Sequence, residues 1–215
     1  MPMYHKIYHI YVKNPNNKKV EWYSLEEFKF LRNTEWVFTE KVKGTNIRVI
    51  WNGSEITFAG RYEDSIIPIG LYTKLQNMFL PKVDLFKNQF GEGDDVFVCF
   101  YGEGYGNDIE NGLQYSKDYN FVLFDVLIGK PGNRHWFTRK KCEYMSSMFD
   151  LDIVPIVLVG TLDDGINMVK QGLRSRWGDF IAEGLVGKPK VDLLDRLGNR
   201  IITKIAHSYF KEGEL

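Results

Sequence analysis

The chain has 215 residues, 28 basic and 28 acidic side chains, and a formal net charge of +0. With 44% hydrophobic and 26% charged residues it suits one soluble globular domain with a substantial core, expected to span residues 1–215. The charge balance excludes a nucleic-acid binder that works by bulk basicity, since such proteins release counterions with many Lys and Arg, but it leaves room for an enzyme that grips a few phosphates.

In chain order, a short aromatic strand near the N-terminus leads into a turn at Lys13-Asn14-Pro15-Asn16-Asn17-Lys18. Ser24-Leu25-Glu26-Glu27 has the spacing of a capping box and predicts a short helix ending near Leu31. Three β-rich runs follow, Trp36 to Lys41, Asn46 to Trp51 and Glu55 to Arg61, with Asn52-Gly53 as the hairpin turn between the last two. Residues 71–90 read as helix interrupted at Pro81, and 96–103 and 120–127 as buried strands. Helices are predicted over 138–149 and 162–170, separated by a strand over 153–159. Strands over 181–187, 189–194 and 200–207 close the chain, the last two joined by a turn at Leu197-Gly198-Asn199. Antiparallel-looking strands with inserted helices indicate an α+β fold.

Cys99 sits among Val98, Phe100 and Tyr101 as a buried strand thiol, and Cys99 and Cys142 form no disulfide framework. No signal-peptide pattern opens the chain and no apolar stretch is long enough to span a bilayer, so a cytoplasmic protein without membrane association is expected. Lys188, Lys190, Arg196, Arg200, Lys204 and Lys211 offer either a phosphate-binding strip or a solvated strand face. The four His residues lack metal-ligand spacing, and His207 reads as packed or solvated.

Lys41 ends an apolar-aromatic strand and precedes Gly44, where backbone can approach a ligand closely. A lysine that attacks phosphate must be neutral, and a strand end inside a pocket favours that state. Taken alone, this window favours an ordinary edge-strand lysine before a turn. Further windows follow in order: Gly60-Arg61, Tyr101-Gly102-Glu103-Gly104, Phe121-Val122-Leu123-Phe124-Asp125, Glu183-Gly184-Leu185-Val186 and Ile202-Thr203-Lys204. Each ends a strand with a charged or aromatic residue, as a pocket built on a sheet requires. Asp125, inside an apolar run, needs a partner if buried.

The sequence resembles the covalent nucleotidyltransferase superfamily of DNA ligases, RNA ligases and mRNA capping enzymes. Lys41-Val42-Lys43-Gly44-Thr45-Asn46 is most similar to the Lys-x-x-Gly-Thr-Asn form of the RNA ligase 2-like branch, and the matches run from Glu40 to Lys204. The resemblance implies a ligase-type adenylyltransferase fold of mainly antiparallel sheets with inserted helices and an ATP pocket between them. It implies an ATP-dependent RNA ligase that joins 5′-phosphate and 3′-OH ends, as in nicked duplexes or broken RNA, through lysyl-AMP and an adenylated polynucleotide. Lys41 would be the nucleophile, and Glu40 would help recognise adenine, plausibly through its backbone. Asn46 would sit near the phosphate and Arg61 at the phosphate or ribose. Glu103 would bind the ribose hydroxyls and Phe124 would stack on adenine. Glu183 would ligate Mg²⁺ (or Mn²⁺), and Lys204 would neutralise the α-phosphate.

The chain departs from the branch at Ile202, where a second Lys is usual, and at Lys43, where a His is common. Lys188 or Arg200 would be the compensating base. The chain ends shortly after Lys204, so a minimal adenylyltransferase core without an OB or helical C-terminal domain is expected, with a separate partner protein as one way to replace that domain. The alternatives are a DNA ligase-like or capping-type core, or a non-catalytic nucleotide-binding module; retention of Lys41, Glu103, Glu183 and Lys204 weighs against the last.

Overall fold

The computed structural model describes residues 3–13, 19–130 and 132–210. The predicted turn at 14–18 and Lys211 lie outside these residues. The chain divides into two compact units, Met1–Tyr4 with Lys43–Val154, and His5–Val42 with Pro155–Leu215.

The first unit is a six-stranded sheet with helices packed on one face. Its strands are β5 (Thr45–Trp51), β6 (Ile56–Ala59), β7 (Val98–Tyr105), β8 (Asn120–Lys130), β9 (Asn133–Trp136) and β10 (Asp152–Ile153). Their order is β10-β8-β7-β5-β6, with β9 also on β8. Because strand side chains alternate between faces, Ile47, Val49 and Trp51 of β5, Val98 and Phe100 of β7, and Phe121 and Leu123 of β8 share one core. Onto that core pack α2 (Ile69–Phe79) through Leu71, Leu75 and Phe79, α3 (Val83–Phe90) through Phe86, and α4 (Arg139–Met148) through Met145. Residues 71, 75 and 79 recur at the helical spacing that buries one face. Between α2 and α3 a single 3-10 turn, Leu80–Lys82, marks the predicted break, because Pro81 has no N–H to continue the helical ladder.

Alternation also fixes what the other face of this sheet carries. Asn46 and Arg48 of β5, and Cys99, Tyr101 and Glu103 of β7, project away from the helices. The glycines flanking Glu103 point the opposite way. A Cβ on Gly102 would lie 2.2 Å from the Phe121 ring, and one on Gly104 2.5 Å from Leu71. These two glycines make room for the core.

The second unit holds a five-stranded sheet, order β1-β13-β12-β4-β11. Its strands are β1 (Tyr8–His9), β4 (Trp36–Glu40), β11 (Ile156–Gly160), β12 (Gly184–Pro189) and β13 (Thr203–Ala206), and a separate hairpin is formed by β2 (Tyr11–Lys13) and β3 (Lys19–Tyr23). Trp36 and Phe38 of β4, Leu185 of β12 and Ile205 of β13 pack against Leu162, Ile166 and Val169 of α5 (Leu162–Lys170) and Phe28 of α1 (Glu26–Phe30).

Several expected elements change. Ser24 does not cap α1: the N-cap is Leu25, and the Ser24 hydroxyl donates to the His9 carbonyl instead. The reciprocal capping box forms at α5, where Thr161 N–H donates to Asp164 at 2.8 Å and Asp164 N–H donates back to the Thr161 hydroxyl at 3.2 Å. The strand expected over 153–159 is two strands parted at Pro155, with β10 parallel to β8 in the first unit and β11 antiparallel to β4 in the second. Proline cannot donate to a ladder, which makes it the natural break. Of the strand expected over 189–194 only Pro189 is in a strand, as the end of β12; Leu194 and Arg200 make one isolated bridge around a turn held by the Asp195 carboxylate, which accepts from the Leu197 and Asn199 amides. The Asn52-Gly53 turn forms as expected, with Asn52 Oδ1 accepting from the Ser54 and Glu55 amides and Gly53 at φ 90°. Strand β9 is polar and exposed, and so carries no alternating signal in the sequence.

Candidate active site

In the second unit, Lys41 follows directly on β4. Its backbone N–H donates to the Gly184 carbonyl at 2.9 Å, and its Nζ lies 2.7 Å from Glu183 Oε2. The two side chains are 24% and 29% exposed, so the pair is open to solvent on one side. Glu183 sits just before β12, where its carbonyl accepts from the His207 amide at 2.8 Å. Gly184 follows at φ 151°, and a Cβ there would meet the Ile205 carbonyl at 2.0 Å, which explains the Glu-Gly order. Lys204 stands on β13 in register with Val186 of β12. It alternates with buried Thr203 and Ile205 and so projects from the face away from the core.

Glu40 points the other way. It is 1% exposed, and its carboxylate accepts from the Ser175 hydroxyl at 2.6 Å and the Arg176 amide at 2.8 Å. Its side chain is therefore occupied, and its backbone N–H donates to the Pro155 carbonyl at 3.2 Å. Burial pushes the Glu40 carboxyl above the ordinary carboxylate range, against the opposing pull of the bonds from Ser175 and Arg176. The folded chain holds this proton more tightly than the unfolded one. The stability it contributes is present below the ordinary carboxylate range and is lost as pH rises through the raised folded value. Glu40→Gln removes that titration. In denaturant melts of both proteins at about pH 4 and about pH 7, the variant should gain on the parent at the higher pH. Equal differences at the two pH values would refute this reading.

In the first unit, Asn46 and Glu103 are registered partners on the face away from the core. Asn46 Oδ1 is buried without a hydrogen-bond partner among the described residues. Phe124 occupies a β-bulge: Tyr101 pairs with Asp125 and Gly102 with Leu123, so Phe124 has no residue opposite. Bulges re-aim a side chain. The half-buried Phe124 ring meets Tyr4 edge-on, with centroids 5.0 Å apart. Asp125 is buried and has the partner that its position demands, accepting from the Tyr4 hydroxyl at 2.5 Å. Arg61 lies past the end of β6, exposed, with its guanidinium 5.6 Å from the Tyr62 ring centroid. Beside Tyr101, burial pushes the Cys99 thiol up to about 12.

The RNA ligase family model matches residues 34–206. The chain belongs to the RNA ligase family. Solved structures of Naegleria gruberi RNA ligase share the fold. A mutant without ligand superposes with TM-score 0.64 at 19% identity, covering 86% of this chain and 53% of that one. A mutant with ATP and Mn gives 0.64 at 18% identity over the same shares, and the ligase with PPi gives 0.63 at 18% over 84% and 52%. The chain thus spans about half the length of these structures. No curated protein matches it.

For an RNA ligase, the sequence windows fall in two coherent sets. Lys41 just after β4, Glu183 just before β12 and Lys204 on β13 belong to neighbouring strands of one unit, and Asn46, Glu103 and Phe124 lie on neighbouring strands of the other. Sequence reasoning missed Tyr4, Arg48, Ser175 and Arg176. Ser175 and Arg176 sit in a loop without a motif, and Arg48 looks like an ordinary polar residue of an alternating strand. Of the basic strip, Lys190 is paired with Glu35 at 2.8 Å. His207 is packed, with Nδ1 3.2 Å from the Val169 carbonyl. Ile202, at the place where the branch usually has a second Lys, is a buried apolar side chain. No group of three or more His, Cys, Asp or Glu suited to a metal exists among the described residues. A lone Glu183 fits Mg²⁺ or Mn²⁺ held mainly by substrate phosphates and water, and does not fit a metal caged by protein. No helix among the described residues is long and apolar enough to cross a membrane.

Proposed function

We propose that this family member is an ATP-dependent RNA ligase that seals 5′-phosphate and 3′-OH ends through a lysyl-AMP at Lys41. The observation that carries the reading is Lys41 Nζ 2.7 Å from the Glu183 carboxylate at the end of β4, within the Glu40-to-Asn46 motif. Lys41 loses a proton, for which Glu183 is the adjacent acceptor, and its nitrogen attacks the α-phosphate. The bond to the β-phosphate breaks and pyrophosphate leaves. Lys204 offsets charge on the α-phosphate as it passes through the transition state. Asn46, with an unpartnered Oδ1, and Arg61 serve the phosphate or ribose, Glu103 accepts from the ribose hydroxyls, and Phe124 offers its ring to adenine. Glu40 contributes through its backbone. Glu183 would hold a divalent ion together with the phosphates, and such an ion would supply charge neutralisation there. AMP then passes from Lys41 to the RNA 5′-phosphate, and a 3′-OH displaces it.

ATP and Mn in related ligase structures support this choice of nucleotide and of a divalent ion. The test is incubation with Mg²⁺ and ATP labelled at the α- or the γ-phosphate. Acid-labile protein label should come from the α position alone, and nicked duplexes with RNA on the 3′-OH side should then be sealed in preference to all-DNA nicks. Absence of protein label with ATP sinks the proposal, and equal sealing of the all-DNA nick sinks its RNA preference.

A further inference from the structure

Arg48 is the least explained charge in the chain. It lies in the middle of β5 and is 1% exposed. Its Nε donates to the Gly60 carbonyl at 2.7 Å. Its Nη1 is buried and has no hydrogen-bond partner among the described residues, and no described carboxylate forms an ion pair with it. A buried guanidinium is costly unless an anion and a full set of acceptors accompany it. The neighbouring groups cannot act as that anion. The Cys99 thiol is pushed up to about 12, chiefly by burial, and burial likewise raises the Tyr101 phenol, so both are neutral at physiological pH.

The position of Arg48 shows what would complete it. It shares a strand face with Asn46, two residues away, whose Oδ1 is also buried and unpartnered. The carbonyl that it holds belongs to Gly60, the residue before Arg61. Its neighbour across the sheet is Tyr101, two residues before Glu103. An unsatisfied donor and an unsatisfied acceptor therefore stand side by side among the residues assigned to the phosphate and ribose.

We propose that Arg48 is a phosphate-binding residue for the nucleotide: its Nη1 donates to a phosphate oxygen while its Nε holds the Gly60 peptide and so sets the position of Arg61. This rests on the reading that this face receives ATP. The anion supplies the charge that the protein leaves out, and the planar fork of a guanidinium suits simultaneous bonds to a carbonyl and a phosphate.

The test uses full-length chain carrying Lys41→Ala, so that binding is read without covalent transfer. ATP with Mg²⁺ and adenosine are titrated separately while the side-chain ¹⁵N signals of Arg48, assigned by through-bond correlation to its own backbone amide, are followed by NMR. ATP should move the Arg48 signals and adenosine should not. In Arg48→Gln the Kd for ATP should rise about tenfold or more while that for adenosine stays within about twofold, as expected for loss of a charge-assisted bond. Arg48→Lys should recover part of the ATP affinity. Arg48 signals that stay still at saturating ATP overturn the proposal, and that measurement needs no variant at Arg48 to fold. So does equal loss of ATP and adenosine affinity, which would mark a purely structural role. Labelling of Lys41 in the parent with silent Arg48 signals overturns this inference alone; ATP-dependent Arg48 shifts with no labelling of the parent overturn the ligase mechanism alone.

Discussion

Replacing Lys41 with alanine should reduce transfer of AMP to the protein to background, while leaving the fold nearly unchanged. The two expectations come from different physics. A methyl group cannot act as the nucleophile proposed at Lys41, and loss of a covalent intermediate in enzymes that use one lowers rates on the order of 10⁴-fold or more. The ion pair with Glu183 is also lost, but its members are 24% and 29% exposed. Pairs with access to solvent contribute about 0–1 kcal/mol, so the melting temperature should move by no more than roughly 4 °C. Lys41→Arg sharpens the comparison. Arginine keeps a cation beside Glu183 but stays protonated at any working pH, so it should match the parent in stability and the alanine variant in inactivity. Labelling with α-labelled ATP and thermal melts on the three proteins decide the matter. An alanine variant that still acquires acid-labile label would place the nucleophile elsewhere, and an active arginine variant would show that Lys41 acts by charge alone.

Most of what positions these residues is legible in the sequence, because it depends on local rules. The alternation in Asn46 to Trp51, the turn at Asn52-Gly53 and the helix break at Pro81 each follow from side-chain spacing or from one residue's backbone chemistry. Other features depend on partners distant in sequence. Ser24 and Thr161 both have the capping-box spacing; Ser24 is diverted because its hydroxyl donates to the His9 carbonyl, which the local sequence does not reveal. The run from 153 to 159 reads as one strand because its apolar residues are continuous, yet Pro155 divides it between two sheets. Phe124 was legible as an aromatic residue but not as the residue of a bulge, since a bulge is a property of strand pairing. Arg48 was invisible for the opposite reason. In sequence it fills an outward position of an amphipathic strand, and only the sheet shows that this position is buried.

Gly44→Ala should be among the most disruptive single-methyl changes in the chain. The sequence suggests that this glycine lets backbone approach a ligand, but the structure shows it already pressed against protein. A Cβ at Gly44 would lie 2.2 Å from the Gly104 carbonyl oxygen and 3.0 Å from Glu103 Cγ. The nearest atom is backbone in β7, which is hydrogen-bonded to β5 with Gly104 opposite Thr45, so relief requires the two strands to part at that end. Overpacking of this kind costs about 1–3 kcal/mol, which for a chain of this size lowers the melting temperature by roughly 2–12 °C. The functional loss should be larger than the stability loss. Glu103 lies under the added methyl, and Lys41 is only three residues before it in the chain. A displacement on the order of 1 Å at a reacting group costs about 100-fold in rate, so adenylation should fall by that order even well below the melting temperature. The two explanations for the glycine then separate cleanly. If it served only ligand approach, the alanine variant would melt with the parent and lose ATP binding alone. If it serves the contact with β7, stability and adenylation fall together, and a melting temperature equal to the parent's would eliminate the packing explanation.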